Sequence, residues 1–287
     1  MDRFVRDVYV SEIETQCRLA RNAAGSIDDA VAATHETGTH EVFRALHSLL
    51  THASNVSRLL WPSQPKKYPG EAKGDYRARA ERIQIRGDEL RTLLHLPGRD
   101  GGGHVLFDRT LRDHLEHFDE RLEEWERTSK GRNMIQDALG PRSAIVAVDE
   151  TDVMRWYDPR AGTFYFRHES FNIRGLCAAT EEILVRAIRS LSDPREVESK
   201  LSEEFPDMVF SWSALQMAVG MALGQDPRVA GRLRRAKYGL SFESVEVEFG
   251  GDVFQVALPA VTVPGSRSQV GPIVEKIVAA VTGGEAW

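Results

Sequence analysis

The chain has only two cysteines in 287 residues, Cys17 and Cys177, with no Cys-x-x-Cys pair and no histidine beside either in a ligand-like spacing. That spacing offers no metal or redox motif. Long hydrophobic runs are lacking too. The longest, Met217–Leu223, is far short of a membrane span, and Met1–Asp7 has no signal-peptide core. The expectation is a cytoplasmic protein that makes no use of a membrane. Excess positive charge is absent: 37 Lys and Arg against 43 Asp and Glu give a net charge of −6. This argues against a general nucleic-acid coat, because phosphate binding relies on clustered cations, so any RNA contact has to be local. The glycine run Gly101–Gly103 lacks both the Lys-Ser and the strand context of a phosphate loop or dinucleotide fingerprint. No cofactor and no metal is expected.

What is present is ordinary globular material, 41% hydrophobic and 28% charged, in a chain long enough for two domains. Helical periodicity dominates the first half. Tyr9, Ile13, Cys17, Ala20, Ala24, Ile27 and Val31 form one stripe, with a possible kink at Gly25-Ser26, and Cys17 on it reads as a buried thiol. Val42 to Leu60 form a second stripe, closed by Trp61-Pro62, because proline disfavours helix in the residue before it. Its other flank carries His47, Thr51, Ser54, Asn55 and Arg58, a polar seam that faces either solvent or a ligand. After a Pro, Gly and Lys-rich loop at 63–74, Tyr76, Ala80, Ile83, Gly87, Leu90 and Leu94 give a third helix, in which Gly87 allows close approach.

The fourth pattern, Leu111, Leu115, Phe118, Leu122 and Trp125, follows Asp108 as the expected cap and carries Arg112, Asp113 and, five residues after the arginine, His117. Four amphipathic helices with short or flexible links predict an up-and-down bundle over residues 1–140. An R-x4-H cluster on the last long helix of such a bundle resembles the HEPN superfamily, and the resemblance covers about half of the chain. It implies a homodimer with paired motifs in a shared cleft, and metal-independent cleavage of RNA by attack of a 2′-hydroxyl on the adjacent phosphate, as in bacterial toxin and antiviral-defence nucleases. It also implies His117 as general acid or base, Arg112 as phosphate clamp and Asp113 as orienter of His117; the nearby basic residues Arg109 and Arg121, with Arg58 and His47 of the polar seam, are the candidate RNA contacts. The residue types suit the roles: an imidazole trades a proton near neutral pH, and a guanidinium offsets phosphoryl charge. Residues five apart on a helix are separated by about 140°, so Arg112 and His117 meet only across a dimer, while Asp113 and His117 share a side. The alternative is a solvated helix laced with Glu–Arg pairs, and then a non-catalytic dimerisation scaffold whose C-terminal domain recruits a protein partner.

The region 141–193 is expected to be a short apolar run at 143–148, a hairpin over 153–167 and a helix from Phe171 to about Leu191, appended to the bundle. The hairpin's Trp156, Tyr157, Phe164 and Tyr165 fit either core packing or stacking of RNA bases between arginines. Asp193-Pro194 reads as a boundary. Residues 194–287 are expected to be a small α+β domain: two short helices, a basic stretch from Asp226 to Lys237 read as a solvated helix face or an RNA or acidic-partner contact, a hairpin at 242–258 continued by 261–263, and a closing helix over 270–281. The fold class is therefore mostly α, and this last domain is where a protein partner would bind.

Overall fold

Residues 3–32 contain no proline and place an apolar residue on one face every three or four positions, so they form one helix, α1 (Arg3–Ala32). The Asp2 carboxylate accepts from the Val5 N–H (3.0 Å) to cap it. The buried side is Val10, Ile13, Cys17, Ala20, Ala23 and Ile27, one residue off the expected stripe at two positions, and the helix runs through Gly25 unbroken. The chain is a computed structural model that describes residues 1–144, 148–193, 195–239 and 242–283. It is mostly helical and divides into two units, Met1–Leu191 and Ser192–Trp287. Residues 1–140 and almost all of 141–193 fall in the first unit.

In the first unit a single turn, α2 (Thr34–Thr37), and Gly38 at φ 77° lead into α3 (His40–Leu60). Eleven of its 21 residues are buried, and α3 packs along α1. Pro62 ends α3 by holding Trp61 near φ −123°, ψ 71°, and the Trp61 indole N–H donates to the Gly98 carbonyl (2.9 Å). The helix α4 (Lys73–Leu93) lies against the end of α3. An ideal Cβ on Gly87 would stand 2.7 Å from Pro62 Cδ and 3.0 Å from the Leu60 carbonyl, so glycine is what lets the two segments touch. Across the same junction Arg91 donates to the Leu60 carbonyl and pairs with Asp88, while Arg86 donates to the Tyr9 hydroxyl of α1 (2.9 Å).

Two short helices follow, α5 (Thr110–Glu116) and α6 (Phe118–Thr128), where the periodicity predicts one. The interruption is at His117, at φ −103°, ψ 39°. A four-stranded sheet comes next, β1 (Ala138–Leu139), β2 (Trp156–Asp158), β3 (Thr163–Phe166) and β4 (Glu169–Asn172), in that order, β1 parallel to β2 and the rest antiparallel. The expected hairpin is β2–β3. Residues 169–172 add β4, which takes Phe171 and Asn172 from the start of the expected helix, and α7 (Ile173–Leu191) begins where it ends and packs on α1. Trp156, Tyr157 and Phe164 are buried, so these rings belong to the core and have no face free to stack a base, while Tyr165 is half-buried. The middle of the apolar run at 143–148 and Pro194 of the expected boundary lie outside the described residues.

The second unit contains α8 (Val197–Glu204), β5 (Met208–Val209), α9 (Trp212–Gln225), β6 (Leu233–Tyr238), β7 (Ser244–Phe249), β8 (Asp252–Ala257), β9 (Gly265–Ser266) and α10 (Val270–Thr282). β5 pairs with β9, and β6-β7-β8 form an antiparallel sheet. Gly250 and Gly251, at φ 63° and 104°, make the two-residue turn between β7 and β8, a conformation that suits glycine at both positions. Leu215, Val219 and Leu223 of α9, Val245, Val247 and Phe249 of β7, and Ile273, Ile277 and Val281 of α10 close one core. The basic stretch read as a helix face ends as strand β6, because pairing with β7 supplies its backbone hydrogen bonds and sets Arg235 opposite Glu248 and Lys237 opposite Glu246. Residues 261–263 form no strand.

Candidate functional site

The expected cap is where the sequence puts it. The Asp108 carboxylate accepts from the Thr110 N–H (2.9 Å) and hydroxyl (2.6 Å) at the start of α5. Arg112 follows in the first turn, its side chain only 11% exposed, and its two terminal nitrogens grip the Glu116 carboxylate one turn on. Arg58 from α3 reaches the same carboxylate at 3.5 Å, and Asp113 lies 3.9 Å from Arg112. Arg109 donates to the Ser63 hydroxyl (3.0 Å). Burial, aided by Arg58, lowers the pKa of Arg112, and burial lowers that of Arg109, though both stay cationic at any ordinary pH. Two guanidiniums therefore converge on Glu116, and Arg109 stands near enough to both to feel their charge. Beside Arg109 and Arg112 lies a cavity of about 30 Å³, also lined by Ser54, whose buried hydroxyl has no partner among the described residues. That is room for a single water.

His117 is placed elsewhere. It occupies the break between α5 and α6, exposed, with Nδ1 3.4 Å from a Glu120 oxygen on its own helix. The Asp113 carboxylate sits beside Arg112, so an ion pair with the arginine stands in place of the expected hydrogen bond donated by the His117 ring. The helix breaks because its side chains are pulled in two directions. His114 is drawn onto the sheet, stacked on Phe166 (4.9 Å between rings, 8° apart), with Nε2 3.1 Å from Glu169. Arg121 donates from Nε to His114 Nδ1 (3.1 Å), which makes Nδ1 the acceptor and places the ring proton on Nε2, facing Glu169. Asp119 and Glu120 then open α6, where negative charge favours a helix start.

The histidine built into a network is thus His114. Glu169, His114 and Arg121 continue to Glu124, which Arg121 approaches at 3.6 Å and Arg167 at 2.6 Å. Arg167 is buried and stands at φ 53° in the two-residue turn between β3 and β4. Both His114 ring nitrogens are engaged by protein groups, so the ring has no nitrogen left to take a proton from a substrate. The sequence signal was its place at the edge of the apolar stripe; Glu169, 55 residues away, was not visible. His47 is half-buried on α3, and burial, with Arg155 nearby, holds its pKa below the ordinary imidazole range. Of the seven residues singled out from the sequence, the structure gathers Arg58, Arg109 and Arg112 with Asp113, and leaves His117, Arg121 and His47 apart from them.

Comparison with protein families, with curated proteins and with solved structures returns no match for this chain.

Proposed function

We propose that the chain is a non-catalytic interaction scaffold: a HEPN-like helical unit, with α1, α3, α4 and the α5–α6 pair as the counterpart of the four-helix bundle, that pairs as a homodimer, and a C-terminal unit that recruits a protein partner. The observation that carries this reading is the enclosure of Arg112. Its guanidinium is 11% exposed and grips Glu116, and the space beside it is that of one water, so it offers little to a phosphate that a second copy's His117 would share. A nuclease of this type needs guanidinium and imidazole on one phosphate within hydrogen-bonding distance.

The test is incubation of the purified full chain with end-labelled RNA in chelator at low salt, where phosphate contacts are strongest. Intact RNA, and the same result with His117→Ala, is the expected outcome. Cleavage abolished by both Arg112→Ala and His117→Ala, with helicity unchanged by circular dichroism, overturns it. That result installs the second reading, a metal-independent endoribonuclease of toxin or defence type. One observation favours this second reading. A phosphate taking the place of Glu116 would meet Arg58 and Arg112 together, with Arg109 close by.

A further inference from the structure

The helix α9 has no charged residue in its fourteen positions. One side, Leu215, Val219 and Leu223, is buried in the core of its unit. On the remaining surface Trp212, Met217 and Met221 stand 38%, 65% and 60% exposed. A helix with water along one side ordinarily keeps polar residues there, and one that is apolar all round is ordinarily covered all round. Together with α8, this second face forms a groove of about 720 Å³. Ala214, Ala218 and Ala222, spaced by one turn, give it a shallow straight floor about 12 Å long at 1.5 Å per residue. Met208, Met217 and Met221 line it, three of the six methionines in the chain. Methionine concentrated at a surface is a mark of adaptable apolar docking, since its unbranched side chain fills irregular gaps.

The polar rim is uneven. Glu198 and Glu203 of α8 stand on one wall, and Arg267 is the single cation among the lining residues. Glu198 accepts from the Ser211 hydroxyl, whereas Glu203 has no ion-pair partner among the described residues. We propose that this groove is the docking site for an amphipathic helix of a protein partner. The partner helix lays long aliphatic or aromatic side chains on the alanine floor and turns Lys or Arg toward Glu198 and Glu203. A second copy offering the same face would set one guanidinium against two carboxylates, a poorer match than a basic helix. The inference gives the recruiting role proposed above a site and a partner class. It rests on that role alone, and an active nuclease in the first unit leaves it standing.

The probe is an eighteen-residue Leu/Lys helical peptide with one apolar face, and its Leu/Glu twin as control. The full chain, carrying ¹³C-methyl methionine, is titrated with each and followed by NMR. Expected are shifts of the Met208, Met217 and Met221 methyls with the Leu/Lys peptide, with Met1, Met134 and Met154 unmoved. Glu203→Lys weakens binding several-fold, and Met217→Ser combined with Met221→Ser weakens it on the order of tenfold, the scale of about 1.4 kcal/mol of lost apolar contact. All three side chains are at the surface of the groove, so the melting temperature stays put. Equal binding of the Leu/Glu peptide overturns the charge match. Unshifted groove methyls overturn the site, and concentration-dependent shifts without peptide assign the groove to a second copy instead.

Discussion

Cys17 lies on the covered side of α1, and desolvation pushes its thiol from 9.0 up to about 12; Cys177 rises to about 11, chiefly by the same cause. At pH 8 this reduces the thiolate population by roughly a hundredfold for Cys177 and more for Cys17. Native protein is therefore expected to resist iodoacetamide that modifies both thiols rapidly in urea, read by intact mass; equal rates in the two states would refute it. Because folding raises these values, their contribution to stability is complete below pH 9 and is lost as the pH climbs toward 12. The histidines run the other way. Burial is the main cause holding His47, His52 and His104 below the ordinary imidazole range, so their contribution is present above about pH 6.5 and lost as the pH falls through the depressed values. The urea midpoint should drop from pH 7 to pH 5, and His104→Gln should flatten that slope by up to one proton, with no flattening counting against the assignment. At this scale Arg112, Asp113 and His117 read from the sequence as a polar cluster on one amphipathic helix, whereas the structure holds Arg112 inside α5 and sets His117 at the break after it. It was silent on their partners: the Arg58 that shares Glu116 comes from α3, and the Glu169 that fixes His114 comes from a strand 55 residues on.

Among the elements, α1, α3, α4, α7 and α10 were legible because each carries an uninterrupted apolar stripe, and the β7–β8 hairpin because Gly250-Gly251 sits between two apolar runs. The break at His117 was not, since the local pattern continues through it and the contact made beside it, His114 stacked on Phe166, is to a strand distant in sequence. Strand β6 was misread for a related reason. Its arginines satisfy a helical or a strand pattern equally, and only pairing with β7 decides. Gly87 offers a quantitative check on packing between α3 and α4. Alanine there gains about 1 kcal/mol of helix propensity, but its Cβ meets the rigid Pro62 ring and the Leu60 carbonyl. Overpacking against groups that cannot yield costs about 1–3 kcal/mol, so Gly87→Ala is expected to be net destabilising by about 1 kcal/mol in a urea melt. A stabilised variant would mean that the junction is looser than described.

At the level of the whole molecule, each unit closes its own core, the first around α1, α3 and α7 and the second around the β6–β8 sheet with α9 and α10. Where the chain passes from one unit to the next, Arg195 pairs with Asp193. Limited proteolysis is therefore expected to cut first near residues 192–196, giving two fragments by mass spectrometry; initial cuts inside α3 or β7 would contradict the division. The apolar run Met217–Leu223 was read from the sequence only as too short to enter a bilayer, and no helix among the described residues is long and apolar enough to cross one. The two-sided greasiness of α9 carries a cost for the cell. Bare thioether and indole groups on a folded protein draw chaperones and proteases, which sort molecules by what they leave uncovered. Under the docking proposed above, a chain made in excess of the helix that covers this face would be cleared, so its copy number would follow that of its companion.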